Sequence, residues 1–184
     1  MLLLAAMTLG LTLGDVYEQP RPEATQTIMR WHFLTGLVAA IGVVLVESVI
    51  VTYFIGTSRW CKEVSETYQL DGSAVQRSNR LKRKTFPWAL AGMLGVVVVI
   101  ALGGASDPAT GLDTRAWTNW HLGGAILGIV LIAWTYYTAW NNVVANQAII
   151  SELVDEVGRI RRERALDPPN NPEFVAAASG RHLP

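Results

Sequence analysis

Three ionisable side chains stand where such side chains are scarce: His32, His121 and Glu47, each within or at the edge of a long apolar run. The two histidines share a setting. Each follows a tryptophan, in Trp31-His32 and Trp120-His121, and each opens an apolar stretch. If both stretches are helices crossing a membrane in the same direction, the imidazoles lie at the same depth. Gly36 follows His32 on its own face, with Ala40 four residues further on, and Gly124 and Gly128 follow His121; the three glycines lie within roughly 60° of their histidine at ~100° per residue. Imidazole is a standard axial ligand of haem iron, and small residues beside it would admit a macrocycle. One expectation is therefore a haem b whose iron is held by His32 and His121, with Gly36, Gly124 and Gly128 flanking it. The other is structural. Gly124-x-x-x-Gly128 is a helix-packing device in lipid, and Gly36 with Ala40 is its near equivalent. The histidines then bond water, headgroups or a neighbouring helix. Copper or zinc would ordinarily want a third ligand, and neither Asp107 nor Asp113 offers a metal spacing.

Glu47 lies near the centre of its run, about fifteen residues inward from His32. A carboxyl group at that depth is costly, so it should face other helices or be neutral. Tyr136 falls at the corresponding depth on the last run, on the face of His121. A Glu47–Tyr136 hydrogen bond is expected, either as a fastener or as part of a proton-handling or ligand-binding site. Glu47→Leu should then be tolerated and Glu47→Lys should not. Tyr136, Tyr137 and Trp140 together read as packing and interfacial anchoring, and Cys61 as a bystander.

The elements that carry these residues follow from the charge distribution. Only 16% of the 184 residues are charged, against roughly 25% in average soluble chains, and the deficit is concentrated. Phe33–Ile55 contains one ionisable residue, Glu47; Trp88–Ala105 and Leu122–Trp140 contain none. Crossing a bilayer takes ~20 mostly apolar residues. The expected fold is an all-α, up-down membrane bundle with spans at about 30–57, 86–104 and 117–141 within a bundle region 28–145. Residues 1–14 are apolar but short. They read as a membrane-embedded fourth helix, with a signal segment or a span that starts further upstream as alternatives. Residues 15–27 form a linker, and Thr25 or Thr27 is a candidate cap for the next helix. A basic loop is expected over 58–85, broken at Asp71-Gly72-Ser73, with Pro87 in the first turn of the following span. Residues 146–166 form an amphipathic helix and 167–184 a flexible tail. The apolar stripe Ile149, Leu153, Val157 and Ile160 should pack on Val64, Tyr68 and Leu70 as a stalk, or self-associate as a coiled coil.

Lysine and arginine set the orientation. Residues 59–84 hold seven of them and the segment after Trp140 five, leaving Arg21, Arg30 and Arg115 elsewhere. The 58–85 segment and the C-terminus are therefore expected in the cytoplasm and the 105–116 loop outside, in a cell inner membrane. Trp31, Trp117 and Trp120 form one aromatic belt; Trp60, Trp88 and Trp140 form the other. A net charge of zero offers no field for nucleic acid, and one cysteine rules out an internal disulfide.

In helix order and histidine placement the chain resembles the small four-span b-type membrane cytochromes of the cytochrome b561 kind. That resemblance implies haem b and electron exchange with quinol. Those cytochromes hold two haems on four histidines, whereas only two histidines lie in the apolar region here, so it implies one haem at most. Zinc spacings, phosphate loops and nucleophile elbows are all missing from the sequence. The main functional expectation is thus a non-catalytic accessory or scaffold subunit of a larger membrane assembly, contacting the lipid bilayer and other membrane subunits or self-associating through 149–160. The redox carrier with haem b is the alternative.

Overall fold

The computed structural model describes residues 1–110, 114–164 and 166. Within them the chain is all-helical: α1 (Leu2–Leu11), α2 (Glu23–Tyr68), α3 (Ser73–Ala105) and α4 (Arg115–Glu163), with a 3-10 turn at Pro108–Thr110. At 1.5 Å per residue the three long helices reach about 69, 50 and 74 Å, well beyond a ~30 Å hydrocarbon core. Each contains a window long and apolar enough to cross a membrane. Fewer than a quarter of the residues in each window are buried inside the protein. Leu94, Leu127 and Val130 on the outer surface are each more than 60% exposed. Large apolar side chains exposed in this number exceed what water-facing surfaces ordinarily carry.

Two boundaries differ from expectation. Within the basic segment 58–85 the helical extension through Val64 and Tyr68 and the break at Asp71-Gly72-Ser73 are found where expected, but residues 73–85, expected as loop, are helix, so the segment is a helical hairpin. α2 runs to Tyr68, and Gln69 closes it in the left-handed region (φ 55°). The Leu70 amide donates back to the Ser65 carbonyl at 2.9 Å, which satisfies a terminal acceptor. Asp71 Oδ1 then accepts from Ser73 N and Ser73 Oγ at 3.2 and 2.6 Å and starts α3. The basic residues are helix formers, and Ala74, Ser78 and Thr85 turn one face inward at helical spacing. Pro87 accordingly sits inside α3 rather than at its start. Its side is exposed, so the hydrogen bond it omits is lost from the outer face and the helix continues. Likewise α2 begins at Glu23, with Pro22 in the capping position. Thr25 and Thr27 lie within the helix and cap nothing.

The ten-residue α1 spans only ~15 Å. It lies along the first part of α2, with Ala6 buried and Leu3 packed on Ala40, Val43, Val96 and Ile132. The linker after it is tied down: Tyr17 Oη contacts the Ser106 carbonyl and the hydroxyls of Thr114 and Thr118 at 3.2–3.3 Å, beneath the Arg115 guanidinium.

At the opposite end α2, α3 and α4 continue beyond the apolar region as a three-helix stalk. Its centre is Cys61, Ala74, Ile149 and Leu153, covered by Val64, Leu70, Val75, Leu81 and Ile150. The amphipathic stripe is therefore buried within the chain, as the first of the two expectations had it. Arg77 pairs with Glu152, and Arg161 Nη1 donates to Tyr68 Oη at 3.2 Å. The positions of Gly111, Asp113 and the expected tail lie outside the described residues.

Candidate functional site

The up-down order brings the two tryptophan–histidine pairs to the same end of the bundle. There the imidazole centroids of His32 and His121 lie 6.1 Å apart, their planes 85° to each other. His32 Nδ1 is 2.8 Å from the Ala6 carbonyl of α1. A carbonyl can only accept, so Nδ1 carries the hydrogen and Nε2 of the neutral ring keeps its lone pair. His121 Nδ1 is buried and has no hydrogen-bond partner. Sequence reasoning brought these two side chains together correctly.

It did not find what stands beside them. A Cβ placed on Gly10 would lie 2.9 Å from His32 Cε1, and one on Gly103 would lie 3.1 Å from His121 Cε1. Each imidazole rests on a glycine of a neighbouring helix. The glycines on the histidines' own helices have other tasks. Gly36 faces open space. A Cβ at Gly124 would meet Leu102 Cδ1 at 2.6 Å, and one at Gly128 would meet Val99 Cγ2 at 2.8 Å. The notches expected beside a porphyrin are thus filled by α3 side chains. The spacing of the rings suits one shared iron, while Leu102 and Val99 seat in the notches at Gly124 and Gly128 that were expected to flank it.

No protein-family model, curated protein or solved structure matches this chain. Function is therefore argued from its own geometry.

The second centre is Glu47. It is 0% exposed, and its partner is Thr135, whose Oγ1 lies 2.6 Å from Glu47 Oε1. Tyr136 was the expected partner. It instead lies half-buried against the apolar cluster of Ala40, Val43, Val96 and Ile132, because one residue along a helix turns the side chain by ~100°. Thr135 Oγ1 also lies 2.9 Å from the Ile132 carbonyl. The hydroxyl owns a single hydrogen. Both contacts are fully made when that hydrogen goes to Ile132 and a neutral Glu47 supplies its own to Thr135. Glu47 Oε2 is buried without a partner, which a neutral acid bears at far lower cost than a carboxylate. Gly92 of α3 completes the site: a Cβ there would come within 2.7 Å of Glu47 Oε1.

Further along the bundle, toward the stalk, the buried polar groups again join helices. Asn146 Nδ2 donates to Tyr53 Oη and Thr57 Oγ1 at 3.2 and 3.0 Å, and Asn142 Nδ2 donates to Thr85 Oγ1 at 2.9 Å. Ser58 and Ser78 share a hydrogen bond of 3.3 Å. The free thiol of Cys61 is fully buried beside them, and burial pushes it up from its ordinary value; such a thiol is a poor nucleophile.

Proposed function

We propose that this chain is a multi-pass membrane subunit that acts by helix packing inside a larger assembly and performs no chemistry itself. The observation that carries the reading is a face of α2 that the chain leaves uncovered. Ser48, Thr52 and Gly56 recur every fourth residue there and, with Val49, Tyr53 and Thr57, line a shallow groove of about 540 Å³. The hydroxyls of Ser48 and Thr52 donate to their own helix, to Val44 and Ser48 carbonyls at 2.7 and 2.8 Å. The groove therefore offers small residues and no unmet polar demand, the surface on which a transmembrane helix packs closely. The amphipathic stripe at 149–160 is less available to a partner, because Ile149, Leu153 and Ile160 are already buried in the chain's own stalk. The basic hairpin at the stalk end supports placing that end in the cytoplasm and the histidine end outside, in an inner membrane.

The test is a photo-activated crosslinker placed at Thr52 in native membranes. One discrete protein adduct, suppressed by Gly56→Leu, is expected. Adducts to lipid alone would overturn the reading. The rival, a haem b carrier resting on the 6.1 Å spacing of the two imidazoles, is read from a reduced-minus-oxidised visible spectrum of the purified protein. A sharp b-type band lost in His32→Ala and in His121→Ala would replace the packing role with a redox one.

A further inference from the structure

Four observations at the histidine end converge on a small ligand. His32 is held in one tautomer by the Ala6 carbonyl, with Nε2 left as a lone-pair donor. His121 has a buried ring nitrogen with no hydrogen-bond partner. Both rings are pressed onto glycine backbone, at Gly10 and Gly103, so they are positioned by contact as well as by rotamer. Their centroids are 6.1 Å apart. A metal ion bound head-on by two imidazoles, ~2.0 Å from each nitrogen, places the ring centroids roughly 6 Å apart. Perpendicular ring planes are compatible with this, since both planes can contain the nitrogen–metal–nitrogen axis.

We infer that His32 and His121 form a two-coordinate site for one soft monovalent ion of the copper(I) class. The number of donors selects the ion. Among the described residues no group of three or more His, Cys, Asp and Glu side chains is placed to hold a metal. Zinc, which takes four ligands, is therefore poorly served by the pair. A closed-shell monovalent ion is satisfied by two collinear imidazoles, and imidazole suits copper. Charge points the same way. The rings are half-buried with no carboxylate bonded to either, so one positive charge costs less desolvation than two. Binding requires no redox step: the ion enters and leaves in one oxidation state, and both ligands are neutral donors.

The site does not depend on the packing role proposed above, and its test separates the two. The detergent-solubilised full chain is titrated with copper(I) against a chromophoric copper(I) chelator, and with silver(I) as a redox-inert surrogate. One equivalent is expected, with X-ray absorption showing two nitrogen neighbours at ~2.0 Å. His121→Asn should abolish that equivalent. His121 Nδ1 has no hydrogen-bond partner to lose, and an unchanged circular dichroism spectrum confirms the fold of this variant. Gly103→Ala, whose methyl would press on His121 Cε1 at 3.1 Å and reach both ring nitrogens, at 3.4 and 3.6 Å, should weaken binding. Failure to bind an ion overturns the site, as does a sulfur-coordinated ion or binding that is indifferent to His121→Asn. So does a stoichiometric haem band. The Thr52 crosslink in His121→Asn reports independently on packing and should be unaltered.

Discussion

Gly92→Ala should destabilise the bundle, and the reason is confined to one contact. Alanine is ordinarily better than glycine inside a helix by ~1 kcal/mol, so the baseline expectation for α3 is a gain. Here the new methyl would lie 2.7 Å from Glu47 Oε1, 3.3 Å from Glu47 Cδ and 3.3 Å from Thr135 Oγ1. The carboxyl group is the mobile partner and must withdraw, but it is wholly enclosed, and withdrawal breaks its 2.6 Å bond to Thr135. Overpacking of a close-packed site costs ~1–3 kcal/mol, and a buried polar group stripped of its partner costs a further ~1–3 kcal/mol. After the propensity gain, a net loss of roughly 1–5 kcal/mol is expected. The assay is reversible unfolding in mixed micelles followed by circular dichroism, run as a cycle with Glu47→Ala. Removing the carboxyl group removes the obstacle, so Gly92→Ala in the Glu47→Ala background should be neutral or stabilising. A Gly92→Ala protein as stable as the parent refutes the argument. So does a penalty that persists when Glu47 is gone, since the contact would then not be its source.

The stalk and its turn give two more expectations. Leu153→Ala removes a side chain only 4% exposed, packed with Cys61, Ala74 and Ile149. It should cost ~2–5 kcal/mol and make the 60–80 hairpin exchange its amides faster, by hydrogen-exchange mass spectrometry. Asp71 is held below its usual range by its hydrogen bonds from Ser73. Its support of the α2–α3 turn is therefore complete above the ordinary aspartate value of ~3.9 and fades as pH falls through the lower folded one. Protection of the Ser73 amide should follow that profile, and Asp71→Asn should flatten it.

The features that could be read from sequence were those that depend on one helix at a time. Spans appear because residues 88–105 and 122–140 contain no Asp, Glu, Lys or Arg and 33–55 only Glu47, and the stalk stripe appears because Ile149, Leu153 and Ile160 repeat at helical spacing. The pairing of His32 with His121 was legible because antiparallel order alone brings two equivalent positions to one end. The misreadings share a physical origin. Periodicity gives the direction of a side chain from its own axis, not what fills the space opposite. Gly124 and Gly128 fitted either a macrocycle or a packing helix, and only the structure shows that Leu102 and Val99 of α3 occupy those notches. Tyr136 was expected because it lies at the depth of Glu47 on the face of His121, but Glu47 closes on the neighbouring Thr135 hydroxyl. The basic hairpin looked like a loop because its charges dominate the composition. Its inward face of Ala74, Ser78 and Thr85 is small and easily overlooked.

Those same glycine notches give the arrangement its logic. Three polar groups at helix junctions are each received by a glycine on a neighbouring helix: His32 at Gly10, Glu47 at Gly92 and His121 at Gly103. In an apolar surrounding, hydrophobic contact discriminates poorly between one helix register and another, because lipid tails are as apolar as leucine. A polar side chain seated in a notch does discriminate. Sliding α2 by one turn would strand Glu47 against a side chain and strip it of Thr135. The matched pairs thus fix α1 on α2, α2 on α3 and α3 on α4 in turn, the order in which the helices occur in the chain. A bundle whose polar groups are committed to its own register has its remaining helix-packing surface on the outside, at Ser48, Thr52 and Gly56. That is where a partner's helix would find the kind of notch that the chain uses internally.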